Sequence, residues 1–262
     1  MIVTRIVSKG ISGEIFTKNR RANMKKYFEY PFNEKIKKDI LNFYEDANVD
    51  MHNSQIKRKE KIKLERILNK VDFTEQDVVL DVGCSSGELL KLIHSKIKRG
   101  IGIDIASNII NVNNEENQYE NIDYKVFDGV HIKLENKASK ICMLDVLEHA
   151  FEPDALIDSV YENLVGGGYL ILEVPTTGWL SELIFGKYHM GHLRYYDPKS
   201  IRTFLEKHGF HIQDVKHYNA VPAGVYILKN GVGVYKMMNA ICNLIPARLY
   251  PYYGSVLVIA SK

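Results

Sequence analysis

The stretch from residue 78 to residue 90, VVLDVGCSSGELL, decides the fold. Its first three residues, VVL, are β-branched or apolar and predict a short buried strand that ends at Asp81. A loop of small residues follows, from Gly83 to Gly87, and glycine allows the backbone to approach a ligand closely. Apolar residues then return at helical spacing. The order of strand, glycine turn and helix predicts one unit of an α/β fold, with a ligand at the turn.

The spacing of this loop differs from the dinucleotide fingerprint G-x-G-x-x-G, in which pyrophosphate lies on the helix N-terminus. The pattern here is Asp81-x-Gly83-x-x-x-Gly87, and the middle glycine is missing. A carboxylate at the strand end disfavours pyrophosphate and suits a cationic ligand with an amino group. The stretch resembles motif I of the class I S-adenosylmethionine (SAM) dependent methyltransferases, whose loop wraps the methionine part of SAM. The alternative is an ordinary α/β turn.

Two more predicted strands end in carboxylates. Residues 99–105, RGIGIDI, predict a second buried strand that ends in Asp104, about one βα unit after the first. A carboxylate there can accept both ribose hydroxyls of a nucleoside, although an Asp in a plain turn is the alternative. Residues 122–128 predict a third strand, closed by Asp128 and Gly129. The resemblance implies an adenine contact at this position, whereas Asp-Gly is also a common turn pair.

The remaining predicted strands complete a larger resemblance. Residues 139–147 and 169–174 predict strands four and five, separated by a helix that begins near Pro153 and is stopped by glycines 166–168. Residues 211–218 and 255–260 predict the last two strands. Residues 76–220 resemble ubiquinone-biosynthesis-type and type 11–23 small-molecule methyltransferases. This implies a Rossmann-like α/β fold with helices on both faces of a seven-stranded sheet, strand order 3-2-1-4-5-7-6, and an antiparallel last strand at the edge.

The resemblance implies SAM as the cofactor and locates its site. The cofactor-binding residues that it implies are Asp81, Gly83, Cys84, Gly87, Asp104, Ile105, Asp128, Gly129 and Asp145. A base favours attack by a hydroxyl nucleophile, and histidine titrates near neutral pH. His149, after strand four, is therefore the first candidate for the general base, unless it only packs under SAM or caps a helix. His192 is the second, because the segment HMGHLRYY can fold over the pocket.

The unit Asp145-x-x-Glu148-His149 resembles the E-x-x-E-H unit of ubiquinone-biosynthesis O-methyltransferases and small-RNA 2′-O-methyltransferases, where it helps to hold a divalent metal. Asp145 replaces the first Glu and shortens that arm, and many relatives carry a Glu-His pair without a known metal. No metal is therefore predicted. EVPTTG stands where amino-nucleobase methyltransferases carry S-P-P or N-P-P-Y, which argues against that substrate class.

Charge and composition bound the domain organisation. Residues 1–70 contain 17 Lys+Arg and 9 Asp+Glu, whereas the rest of the chain contains 18 and 23. We predict an N-terminal helical cover over residues 1–70, with helices at 33–47 and 53–70, and a SAM-binding domain over 71–262. Its connection at 221–254 is longer and more apolar than a simple link needs. That connection is a packed helical hairpin, a wall of an apolar pocket or a membrane-facing surface.

These observations predict O-methylation of a small-molecule, glycan or lipid-linked acceptor. The apolar segments Trp179–Phe185 and Tyr226–Tyr253 suggest weak peripheral contact with anionic membranes. RNA 2′-O-methylation ranks lower because no RNA-binding module is recognisable, and a nucleoside-binding scaffold without catalysis is the third hypothesis. Three separated cysteines and the lack of a signal-peptide-like N-terminus predict a cytoplasmic protein.

Overall fold

The computed structural model describes residues 28–29, 38, 63–176, 192–219, 231–246 and 254–262. The strands are β1 (Phe28–Glu29), β2 (Val78–Val82), β3 (Arg99–Asp104), β4 (Ile122–Val126), β5 (Ala138–Leu144), β6 (Leu164–Thr176), β7 (Arg194–Tyr195), β8 (His211–Asn219) and β9 (Gly254–Ser261). The helices are α1 (63–68), α2 (Glu88–Ile93), α3 (Ser107–Glu116), α4 (Pro153–Asn163), α5 (Pro198–Lys207) and α6 (Gly231–Leu244).

Seven strands form one sheet in the order β4-β3-β2-β5-β6-β9-β8. Strands β4, β3, β2, β5 and β6 pair in parallel, and β9 is antiparallel to both β6 and β8. Counted along the chain, this is the predicted order 3-2-1-4-5-7-6, which is confirmed together with the direction of the last strand. The edge strand itself is β8, because β9 lies between β6 and β8. The order reverses between β2 and β5, where a ligand crevice is expected.

Helices cover both faces of the sheet, because its central strands are apolar on both sides. Leu80 and Val82 of β2 belong to one buried cluster with residues of α4 and α5. Val79, which points to the other face, belongs to a second cluster with residues of α1, α2 and α3. Leu64 and Ile67 of α1 are buried in that second cluster. The described end of the predicted N-terminal cover therefore packs in the same domain as the sheet.

Several predicted boundaries shift by a few residues. The strand predicted to end at Asp81 continues to Val82. Glycines 166–168 do not form a stop between α4 and the next strand; they lie inside β6, because Leu164 already pairs with Ala138 before a register shift. The start of α5 is as predicted, since Asp197 accepts hydrogen bonds from the N–H groups of residues 199 and 200 and Pro198 is the first helical residue.

Part of the predicted organisation lies outside the described residues. This applies to the helix at 33–47 apart from Lys38, most of the helix at 53–70, the segment Trp179–Phe185, and residues 220–230 and 247–253. Among the helices that the structure describes, none is long and apolar enough to cross a membrane.

Candidate cofactor and acceptor site

The predicted site residues meet where parallel strands end on the two sides of the topological switch. Asp81 lies near the end of β2, Asp104 ends β3, and Asp145 follows β5 directly. Because β2 pairs in parallel with both β3 and β5, these three carboxylates lie together at the carboxyl ends of the strands. Strand ends at such a switch form the crevice in which α/β proteins bind ligands.

The glycine loop needs glycine at positions 83 and 87 because of its backbone conformation and its close packing. Gly83 and Gly87 have φ of 70° and 73°, in the left-handed region that favours glycine. A Cβ atom at Gly83 would lie 2.4 Å from Cγ2 of Val146, and one at Gly87 would lie 2.3 Å from the hydroxyl of Tyr124. A side chain added at Gly83 would therefore collide with Val146.

Asp104 fixes the shape of the pocket beside β3. One carboxylate oxygen accepts a hydrogen bond from the N–H of Ser85 at 3.0 Å, and the other accepts from the N–H of Ala106 at 3.0 Å. Asp104 thereby joins the glycine loop to the start of α3. A carboxylate oxygen accepts more than one hydrogen bond, so Asp104 can still accept ribose hydroxyls.

Asp81 is buried beside Asp104, and its ionisation is costly. The pKa of Asp81 is raised to about 7, mainly by burial; the ammonium of Lys63 lowers this pKa and the carboxylate of Asp104 raises it. The neighbouring Cys84 is also buried, and burial together with the Asp81 charge raises the pKa of its thiol. A cationic ligand here would stabilise the ionised form of Asp81.

Asp128 and Gly129 form the turn that ends the third unit. Asp128 accepts hydrogen bonds from the N–H groups of Val130 at 2.8 Å and His131 at 2.7 Å. The hydrogen bond from the His131 backbone lowers the pKa of Asp128 to about 2. Gly129 has φ of 87° and lies beside Ile105, whose Cγ2 would be 3.4 Å from an added Cβ. These contacts account for the turn, and the adenine contact of Asp128 stays a prediction.

Asp145 stands on the other side of the switch, in a left-handed conformation with φ of 56°. Its N–H donates to the carbonyl of Glu173 at 2.9 Å, and its carboxylate accepts a hydrogen bond from Nζ of Lys63 at 2.8 Å. Burial opposes the ionisation of Asp145, but the ammonium of Lys63 outweighs it and holds the pKa of Asp145 below its usual value. Asp145 is thus an ionised carboxylate at the crevice.

The two candidate catalytic histidines lie on either side of a buried glutamate. Glu148 is 0% exposed, and neither of its carboxyl oxygens has a hydrogen-bond partner in the part of the chain that the structure describes. Nε2 of His149 lies 3.5 Å from Oε1 of Glu148, and Nε2 of His192 lies 4.0 Å from the same oxygen. Burial and the charge of Asp145 raise the pKa of Glu148 well above its usual value. The structure therefore brings the two candidates, His149 and His192, together around Glu148.

Backbone contacts hold His192 in this position. The N–H of Leu193, the next residue, donates to the carbonyl of Glu148 at 2.8 Å. The buried guanidinium of Arg194 donates to the carbonyls of Ala150 and Phe151. The rings of His149 and His192 meet edge to face, with centroids 4.7 Å apart. The segment after residue 191 is thus bound to the turn that follows β5.

The same three side chains fit a divalent metal. Ligand atoms of Glu148, His149 and His192 all lie within 4.8 Å of one another. One carboxylate and two imidazoles are a suitable donor set, and a cation would satisfy the unpartnered carboxylate of Glu148. Asp145, the first residue of the D-x-x-E-H unit, binds Lys63 instead. When bound, a metal would act as a Lewis acid on an acceptor oxygen. The sequence assigned no metal ligand and left metal binding at the D-x-x-E-H unit as an alternative, and both stay predictions.

Lys63 is the site residue that sequence reasoning missed. It approaches the crevice from α1, a helix that we predicted only as a general cover. Its signal is the spacing of Lys63, Arg66 and Lys70, which places three cations along one side of a helix.

The chain belongs to a methyltransferase family, since residues 52–215 match the model described as "Methyltransferase domain". Malonyl-[acyl-carrier protein] O-methyltransferase of Marinomonas sp. is 24% identical over 47% of this chain and 47% of that protein. The mitochondrial ubiquinone biosynthesis O-methyltransferase of Dictyostelium discoideum is 26% identical over 53% of this chain and 51% of that protein. The matches thus span about half the length of these two curated relatives.

Solved structures show the same fold at lower identity. Coclaurine N-methyltransferase bound to N-methylheliamine and S-adenosylhomocysteine (SAH) superposes with a TM-score of 0.59, at 14% identity and 89% coverage of each chain. The [4+2]-cyclase SpnF superposes with a TM-score of 0.59 at 16% identity, covering 81% of this chain and 85% of SpnF. The predicted methyltransferase class and its fold are therefore confirmed.

Proposed function

We propose that the chain transfers the methyl group of SAM to an oxygen atom of a small-molecule, glycan or lipid-linked acceptor, with His149 as the general base. The observation that carries this proposal is the cluster of Glu148, His149 and His192 beside Asp145, at the carboxyl end of β5. That strand end adjoins the switch point of the sheet, where the cofactor is expected.

The chemistry needs alignment and one proton acceptor. An acceptor oxygen attacks the methyl carbon, the carbon–sulfur bond breaks, and its electron pair stays on sulfur to give SAH. The proton of the acceptor hydroxyl moves to His149 as the new bond forms. The ionised carboxylate of Asp145, which interacts electrostatically with His149, would stabilise the imidazolium that results, and this imidazolium would in turn favour ionisation of Glu148, 3.5 Å from Nε2 of His149. His192 contacts the carboxyl group of Glu148 as well and holds the second ring beside the first.

Cofactor binding in this proposal uses mainly the β2–β3 side of the switch, together with Asp145 on the β5 side. Asp104 accepts the ribose hydroxyls, and Asp128 with Gly129 and Ile105 contacts adenine. Asp81, Cys84 and the glycine loop border the methionyl part, and Asp145 accepts its ammonium group.

The acceptor class is supported by the two relatives named above, which are both O-methyltransferases. RNA 2′-O-methylation has less support. The described cations Lys63, Arg66 and Lys70 each form an ion pair with a carboxylate, on Asp145, Glu173 and Asp214 respectively, so this side of α1 is not a free basic surface for phosphates. A cytoplasmic location and peripheral membrane contact stay predictions.

Methyl-labelled SAM tests the proposal. The purified protein is incubated with small-molecule, glycolipid and RNA extracts, and label is counted in each fraction with wild type and with His149→Ala. Label in a small-molecule or lipid fraction that requires His149 supports the proposal. Label in RNA supports the second hypothesis, and calorimetric SAM binding without label in any fraction supports a non-catalytic scaffold.

A further inference from the structure

Ser85 occupies the middle of the glycine loop, at the position where the fingerprint G-x-G-x-x-G has its second glycine. Its φ is 46°, in the left-handed region that glycine enters freely and that other residues avoid. A residue other than glycine keeps such a conformation only where surrounding contacts hold it there, and such residues cluster at ligand sites. The contacts that hold Ser85 therefore shape the loop at which the cofactor is expected.

The side chain of Ser85 does not account for this conformation. A serine hydroxyl can stabilise a turn by hydrogen bonding to the nearby backbone. The Oγ atom of Ser85, however, is buried and has no hydrogen-bond partner in the part of the chain that the structure describes. The conformation must therefore depend on contacts with the backbone of Ser85.

Two side chains bind the backbone of Ser85 from opposite directions. Its N–H donates to Oδ2 of Asp104 at 3.0 Å, and its carbonyl accepts from Nδ2 of Asn113 at 2.6 Å. The thiol of Cys84, 3.7 Å from the same carbonyl, is a weaker donor. Asp104 also accepts from the N–H of Ala106, the residue before α3. Ser85 is thus held from the start of α3 by Asp104 and from its middle by Asn113.

Asn113 is buried in a helix position that favours an apolar residue. It is 2% exposed, and Ile110, one turn earlier on the same helix, packs in the second cluster. Asparagine is a poor helix former, and a buried amide is costly unless it is hydrogen bonded. The neighbouring Asn114 donates instead to the carbonyl of Tyr124 on β4 at 3.2 Å. Of these two asparagines of α3, Asn113 is the one that contacts the glycine loop.

We propose that Asn113 is a positioning residue, which holds Ser85 in its left-handed conformation and thereby preorganises the glycine loop for the cofactor. The inference rests on the proposed function for the identity of the ligand, and Asn113 acts through Ser85. Without the hydrogen bond from Asn113, Ser85 relaxes towards a more favourable φ. The fraction of molecules with a loop ready to bind then falls, and the apparent affinity for the ligand falls with it.

Calorimetry with SAH tests this role through a double-mutant cycle. Asn113→Ala should weaken SAH binding about 5- to 20-fold, because part of the population leaves the binding conformation. Ser85→Gly alone should stay within about threefold of wild type, since glycine enters the left-handed region without help. In the double variant, Ser85→Gly should restore most of the affinity that Asn113→Ala removes. Asn114→Ala is the matched control, and it should leave SAH affinity unchanged.

Hydrogen exchange of the backbone N–H of residue 85 tests the same contact without any ligand. In the wild type this N–H donates to Asp104 and should exchange slowly. Asn113→Ala should accelerate its exchange by at least about 10-fold, because the loop opens more often. Adding Ser85→Gly to Asn113→Ala should slow the exchange again.

The two measurements separate this role from simple packing and from the choice of cofactor. Wild-type SAH affinity or wild-type exchange in Asn113→Ala would overturn the proposal. A loss that Ser85→Gly does not repair would also overturn it, since Asn113 would then only pack in the core. The expected exchange pattern in a protein that binds no SAH would support the role of Asn113 and count against the proposed cofactor.

Discussion

The two sides of the topological switch hold their buried carboxylates differently. On the β2–β3 side, both oxygens of Asp104 accept hydrogen bonds from backbone N–H groups of the adjoining loops. On the β5 side, Glu148 is more deeply buried, yet its oxygens have no hydrogen-bond partner among the described residues and face two imidazoles at 3.5 and 4.0 Å. The carboxylate of Asp104 is therefore satisfied by hydrogen bonds within the protein, whereas the buried carboxyl of Glu148 still needs a proton, a ligand or an ion.

The difference in hydrogen bonding indicates different functions for the two sides of the switch. A carboxylate whose hydrogen bonds hold loops in place provides a fixed shape, which suits recognition of a cofactor. A buried carboxylate without partners is costly, and native proteins keep such groups where a proton, a ligand or an ion satisfies them during function. We therefore place cofactor recognition on the β2–β3 side and the chemistry on the β5 side.

The largest effect should come from the β5 side. His149→Ala should lower the methylation rate by about 10²–10⁴ while SAH affinity stays within a few fold, because a general base acts in the transition state. The rate should recover partly at high pH, where solvent can deprotonate the acceptor. His211→Ala, on an exposed position of β8, is the histidine control and should have a normal rate. Near-normal turnover of His149→Ala would move the base to His192 or leave the reaction without one.

On the β2–β3 side, Asp104→Ala should weaken the binding of SAH rather than lower the rate of methyl transfer. The loss of a ribose acceptor should cost about 1.5–3 kcal/mol for each charge-assisted hydrogen bond, measured as SAH affinity by calorimetry. Asp123→Ala, which removes an exposed carboxylate of β4 that pairs with Arg99 of β3, should leave SAH affinity unchanged. An unaltered affinity in Asp104→Ala would mean that the ribose binds elsewhere.

Packing at the switch itself is tested by Gly83→Ala. The new Cβ would meet Val146 and the residue would need a positive φ, so unfolding free energy should fall by about 1–3 kcal/mol. Adding Val146→Ala should recover part of the loss, because it removes the clash and leaves the backbone strain. Gly166→Ala, where an added Cβ meets nothing within 4 Å, is the control. The assay is thermal or urea unfolding without ligand.

Asp81 should make the stability of the cofactor-free protein fall as pH rises. Its folded pKa, about 7, lies above the unfolded value of 3.8, so its contribution is favourable at low pH and is lost as Asp81 ionises in the folded state. Between pH 6 and pH 8 the loss should be about 1 kcal/mol, or roughly 2–4 °C in melting temperature. The groups that act on Asp81 are Lys63 and Asp104. Asp81→Asn should remove this part of the pH dependence, and an identical slope in the variant would contradict the assignment.

The weakest expected effect concerns the acceptor side and membranes. α6 attaches to the end of β8 through Asn219, which donates to the carbonyls of Cys242 and Ile245. It exposes apolar residues at helical spacing, namely Met237, Ile241, Leu244 and Ile245. The 48 residues after Asp214 contain five Lys+Arg and no acidic residue. We expect weak, salt-sensitive binding to anionic liposomes.

Liposome flotation measures that binding. Leu244→Glu should reduce it about fivefold, or roughly 1 kcal/mol, because Leu244 is 83% exposed on this face. Leu92→Glu places the same change at an exposed leucine of α2 and should have little effect. If wild type does not float at low salt, α6 has no membrane role and the acceptor arrives from solution.

Local sequence patterns predicted much of the structure on both sides of the topological switch. The strand, glycine loop and helix of residues 78–90 were readable because their signals lie within a few turns of chain, and so was the Asp197 cap of α5. The run of glycines 166–168 led to a wrong prediction of a helix stop. These residues lie inside β6, and the register shift there depends on pairing with β5. The reason for glycine at position 83 also lay outside its own neighbourhood, in Val146.

The sequence by itself determined the methyltransferase class and the strand ends that carry Asp81, Asp104 and Asp145. Tertiary structure alone decided which distant residues join them: His192 beside His149 around the buried Glu148, and Lys63 against Asp145. The physical reason is that periodicity and turn chemistry act over a few residues, whereas these contacts depend on how helices and loops from separate parts of the chain pack against one edge of the sheet.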